Sequence, residues 1–120
     1  MKNKKLISKE TPLVHIGSRK LVLAQDIILL QAEINYTILY LSNGQKIIVS
    51  YNLGKLQERL IVHQAFIRPN RNTIVNLNFV TNFNENFLNI NGTTVHISRR
   101  RKDFVSVYFK EFQSSLVIMN

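Results

Sequence analysis

The sequence predicts a mainly β domain with a minor helical part, and two observations carry the prediction. Asn-Gly pairs occur at Asn43-Gly44 and Asn91-Gly92, each between runs of β-branched and apolar residues. Such a pair favours a tight hairpin, because a type I′ turn needs positive φ at both central residues. Against this, only two segments space their apolar residues as a helix does. The expected total is roughly eight to ten short strands with one or two helices, including a C-terminal one.

The elements follow in chain order. Residues 1–12 read as a flexible basic arm; they have the charged start of a signal peptide but not its apolar stretch. Residues 13–120 read as the domain. Residues 13–16 and 20–24 are short strands parted by the turn pair Gly17-Ser18. Residues 26–31 form a continuous apolar run, as in a strand buried on both faces. The polar break Glu33-Ile34-Asn35 ends it, and residues 36–41 and 46–50 complete the first Asn-Gly hairpin. Asn52 is the expected N-cap of a helix whose Leu53, Leu56, Leu60 and Ile61 share one stripe. Residues 65–77 are an extended segment interrupted by Pro69. Residues 87–90 and 93–97 flank the second Asn-Gly pair. The last helix is expected from Ser98 to about Leu116, with Phe104, Val105, Phe109 and Phe112 on a wide apolar face.

Composition narrows the function. The 120 residues carry 16 Lys and Arg against seven Asp and Glu, a net charge of +9 and a pI near 10.2. So basic a domain repels itself, and an anionic partner offsets that. The absence of Cys excludes disulfides and thiol chemistry and suits a reducing, cytoplasmic setting. No stretch is long and apolar enough for a membrane-spanning helix. Enzyme signals are weak. His15, His63 and His96 lack metal-ligand spacing, and the four glycines form no phosphate loop. No catalytic residue, cofactor or metal is expected.

Three segments stand out. Ser98-Arg99-Arg100-Arg101-Lys102 places four cations at an expected helix start, where the dipole prefers acids by roughly 0.3–1 kcal/mol. A bound anion would offset that; a solvated charge run is the plainer alternative. Arg68-Pro69-Asn70-Arg71-Asn72 offers base-edge chemistry, since Arg suits guanine and Asn suits adenine. Its alternative is a loop whose Asn residues bond their own backbone. Glu33 to Thr37 is a polar loop between apolar strands, a place where binding residues often sit.

In this order and at these intervals, the segments resemble the LytTR family of bacterial DNA-binding domains. Gln31-Ala-Glu-Ile-Asn-Tyr-Thr37 is similar to the family's E-A-x-x-N-Y-T, and Asn52-Leu-Gly-Lys-Leu-Gln-Glu-Arg-Leu60 to its S-L-x-x-L-E-x-x-L helix. Phe66-Ile-Arg-Pro-Asn-Arg-Asn-Thr-Ile-Val-Asn76 is similar to F-x-R-x-H-R-S-x-I-V-N. Ile97-Ser98-Arg99-Arg100, after the Gly92 turn, is similar to [IV]-S-R-R. Asn70 replaces His, Asn72 replaces Ser and Gln31 replaces Glu. The likeness runs from about Leu13 to Phe109.

The resemblance implies small sheets that read double-stranded DNA through loops placed in successive grooves, in a stand-alone transcriptional regulator or an excised domain. Base contacts are then expected from Arg100, Arg71, Asn35 and Tyr36. Backbone contacts are expected from Arg68, Asn70, Asn72, Arg99, Arg101, Lys102, Thr37 and Lys55. Asn76, Leu53, Leu56 and Phe66 read as structural. A homodimer on paired sites and a separate signalling partner are the protein partners such a regulator would take. Two alternatives come from other classes. A non-specific or single-stranded nucleic-acid binder would interleave exposed aromatics with its cations, and segments 68–72 and 98–102 contain none. A protein-interaction module would use an apolar surface such as residues 115–119.

Overall fold

The computed structural model describes residues 12–119, with side chains to Ser115. The basic arm expected over residues 1–12 therefore lies outside the described residues, save Pro12. The apolar side chains at 116–119 lie outside them too.

Among the described residues, ten strands form three antiparallel sheets. β1 (Leu13–Gly17) pairs with β2 (Lys20–Leu23). The central sheet has five strands in the order β5-β4-β3-β7-β6. They are β3 (Ile27–Ala32), β4 (Thr37–Leu41), β5 (Lys46–Val49), β6 (Phe66–Asn70) and β7 (Thr73–Asn76). β8 (Val80–Phe83), β9 (Phe87–Ile90) and β10 (Thr93–His96) make the third sheet. Helix α1 (Leu53–Arg59) follows β5, and helix α2 (Lys102–Met119) ends the chain. The fold is mainly β with a C-terminal helix, as expected.

The continuous apolar run becomes the central strand, covered on both faces. Ile27 and Leu30 pack with Val14, Ile16, Leu53 and Leu56 on one side. Ile28 and Leu29 pack with Leu88, Ile90, Val105 and Phe109 on the other. Strict alternation would put Ile27 and Leu29 on one face. A register shift between Ile27 and Leu29 against β4 breaks it, as a β-bulge does. One strand thus serves two cores.

The two Asn-Gly pairs form different turns. Asn91 and Gly92 have φ of 50° and 78°, the type I′ pattern, between paired Ile90 and Thr93. At the first pair only Gly44 is positive, at 90°. There the Gly44 N–H bonds the Leu41 carbonyl at 3.0 Å and the Leu41 N–H bonds the Gln45 carbonyl at 2.9 Å. This is a longer loop closed by a bulge at Gly44, not the expected type I′ turn.

Three further expectations are corrected. Residues 65–77 fold back as the β6–β7 hairpin; Pro69 is tolerated because β6 is an edge strand with irregular pairing from Ile67 to Asn70. Strand β8 lies in the Asn-rich stretch between residues 77 and 87, for which the sequence pattern predicts no strand. The C-terminal α-helix starts at Lys102, not Ser98. Arg99–Arg101 make a 3-10 turn, in which the Arg101 N–H bonds the Ser98 carbonyl at 3.0 Å.

Candidate nucleic-acid interface

The β3–β4 loop and the β6–β7 turn emerge at the same end of the central sheet, because Gln31 pairs with Thr73. The backbone ties them directly: the Ala32 N–H donates to the Asn72 carbonyl at 2.8 Å. The third segment joins through β6, where the Ser98 N–H donates to the Pro69 carbonyl at 3.0 Å. Asn70 Nδ2 donates to the His96 carbonyl at 2.7 Å, and Arg101 Nη1 to the Arg68 carbonyl at 2.9 Å. Helix α1 begins nearby. Asn52 caps it by accepting from the Lys55 N–H at 2.8 Å, as expected. The three segments picked out in the sequence therefore form one continuous rim.

Each loop is shaped by its own residues. The Glu33 N–H bonds the Tyr36 carbonyl at 2.8 Å and pinches the first loop, leaving Ile34 and Asn35 at its tip. Asn70 Oδ1 accepts from the Asn72 N–H at 2.8 Å, an Asx turn that presents Arg71. The 3-10 turn presents Arg99 and Arg100 to solvent.

The expected site residues sort by what their polar atoms already do. Asn35, Tyr36, Arg71, Asn72, Arg99, Arg100 and Lys55 are exposed, and Lys102 is half-buried. Among the described residues, no hydrogen-bond partner engages the guanidinium of Arg71, Arg99 or Arg100. Lys55 holds its ammonium 5.9 Å from the centre of the Tyr51 ring. Thr37 is corrected outright. It is fully buried, and its hydroxyl donates to the Tyr51 carbonyl at 2.8 Å, so it has no surface to offer a phosphate.

Arg68 and Asn70 have polar atoms already engaged by the protein. The Asn70 amide is spent at both ends, on His96 and Asn72. Arg68 gives Nη1 to Gln57 Oε1 at 2.8 Å and Nη2 to the Arg71 carbonyl at 2.6 Å. Both act as braces for the rim. Sequence reading missed Gln57 as the partner of Arg68; a polar helix residue carries no local sign of a bond to a distant strand.

The electrostatics of the rim favour an anion. Burial pushes the Arg68 guanidinium below its ordinary value, and the charges of Arg101 and Arg71 push it the same way. Cations packed this closely lack the compensation that a bound phosphate supplies.

Residues 17–110 match the family model of the LytTr DNA-binding domain. The chain belongs to the LytTR family. A solved structure agrees: the LytTr DNA-binding domain of a methyl-accepting/DNA response regulator from Bacillus cereus. It matches with a TM-score of 0.63 at 21% identity, over 83% of this chain and 95% of that one, a likeness of fold. No curated protein matches. This LytTR domain is thus a DNA-binding domain, in a family defined by binding and not by catalysis. None of its described helices is long and apolar enough to cross a membrane.

Proposed function

We propose that this LytTR domain recognises specific double-stranded DNA, as a bacterial transcriptional regulator acting in the cytoplasm. The β3–β4 loop, the β6–β7 turn and the Arg99–Arg101 turn enter successive grooves. The observation that carries this is the hydrogen-bonded rim joining three segments that lie far apart in sequence. Its uncommitted groups are forked or amide side chains suited to base edges. Arg100, Arg71, Asn35 and Tyr36 read bases; Arg99, Arg101, Lys102, Asn72 and Lys55 hold phosphates; Arg68 and Asn70 position the rest. A homodimer on paired sites and a separate signalling partner complete the proposal.

Selection from a pool of random double-stranded DNA at two salt concentrations tests it. Enrichment of a motif, paired at about one helical turn, is the expected result. Salt-sensitive binding without a motif, at roughly −0.9 in log–log slope per phosphate, would leave only a non-specific grip. Preference for single strands, or no binding to nucleic acid, would favour the alternative classes.

A further inference from the structure

Ile34 is 96% exposed, more than any other large apolar residue of the described chain; Ile61 at 78% comes next. A β-branched apolar side chain at the tip of a pinched loop serves no core. Its neighbours set its surroundings. Asn35 and Tyr36 follow it, and the Ala32–Asn72 bond fixes the loop beside the turn that presents Arg71. The tip thus stands on the same cationic rim that meets DNA under the reading above.

An isoleucine cannot hydrogen-bond a base edge or a phosphate. The major groove offers it one apolar group, the C5-methyl of thymine. A wedge between base steps is the other apolar use, found in minor-groove binders that kink the duplex. The flanking Asn35 and Arg71 are the side chains whose bidentate pairings lie in the major groove, which favours the first.

We infer that Ile34 is a specificity-determining residue of this interface, packing against a thymine C5-methyl group in the major groove. The inference rests on the proposed sequence-specific reading and deepens it. It requires that the selected motif contain at least one thymine recognised through its methyl group. It also places an A·T pair beside the base read by Asn35.

Uracil tests this directly, since it differs from thymine only by that methyl. Each thymine of the selected duplex is replaced in turn, and Kd is measured for the full chain and for Ile34→Ala and Ile34→Val. For the wild type, one or two replacements should raise Kd by about fourfold, the worth of burying one methyl-sized group. Ile34→Ala should raise Kd on the thymine duplex by at least as much and become indifferent to those replacements. Ile34→Val keeps a methyl at the contact and should keep the discrimination. An unchanged melting temperature for Ile34→Ala, expected of so exposed a side chain, separates contact from folding. A motif that tolerates uracil throughout overturns the inference and leaves sequence-specific binding standing. Equal uracil sensitivity in wild type and Ile34→Ala overturns it too. Failure to select any motif would overturn the sequence-specific reading, and this inference with it.

Discussion

Replacing Arg68 by Ala separates a brace from a phosphate ligand. The substitution removes the bonds to Gln57 Oε1 and to the Arg71 carbonyl. Hydrogen bonds from a charged donor contribute about 1.5–3 kcal/mol each when well paired. Partial exposure weakens them, and loss of the guanidinium relieves its repulsion with Arg101 and Arg71. The expected net cost is about 1–2 kcal/mol, a fall in melting temperature of about 5–10 °C. The β6–β7 turn then presents Arg71 less rigidly. Affinity for the selected site should fall about tenfold, or about 1.4 kcal/mol, while affinity for random duplex stays nearly unchanged. Fluorescence anisotropy across a salt series supplies the deciding number. A residue that holds no phosphate leaves the log–log slope where it was; a phosphate ligand removes about 0.9 from it. A slope shallower by that amount, with the melting temperature intact, would refute the bracing role and restore Arg68 to the DNA backbone.

Three further predictions concern stability and readout. Asn76→Ala strands the Ile27 carbonyl, which Asn76 Nδ2 bonds at 2.9 Å in the core, and unties the Asn78 amide. The cost should be about 2–3 kcal/mol, seen as a lower urea midpoint at constant slope; under about 0.5 kcal/mol would mean the site relaxes freely. Arg100→Ala should relax sequence preference, whereas Lys102→Ala should weaken all sequences alike; parallel losses on specific and random DNA for both would dissolve that division. Tyr108 donates its hydroxyl to the Gln64 carbonyl at 2.6 Å, and burial raises its ionisation above the ordinary phenol value. An acid raised in the folded state gives stability that is full below its unfolded value, about 10, and is lost as pH rises through the folded one. Stability should therefore fall above about pH 10, and Tyr108→Phe should remove part of that fall; an identical alkaline profile in the variant would contradict it.

Local chemistry was readable where it acts over a few residues. The type I′ turn at Asn91-Gly92 and the Asn52 cap depend on neighbours in the chain, and both were expected. The turn at Asn43-Gly44 took a bulged form because the Gly44 and Leu41 amides settle its pairing, and composition does not encode that choice. β8 and the β6–β7 hairpin were hidden because Asn-rich and Pro-containing runs mimic loops. An edge strand needs only a partner on one side.

The sequence by itself determined the β class, the charge, the positions of the two Asn-Gly hairpins and the motifs that place the chain among LytTR domains. The tertiary structure alone decided which polar side chains of these segments lie exposed on the rim and which bond the protein. Thr37 and Asn35 lie two residues apart, yet one is fully buried and bonded to Tyr51 while the other is exposed. Arg68 and Arg71 belong to one basic cluster, yet only Arg68 is spent on Gln57. The physical reason is that a side chain turns inward when a partner waits for it. Those partners lie 11 residues away for Arg68, 26 for Asn70 and 49 for Asn76, at distances along the chain that only folding closes.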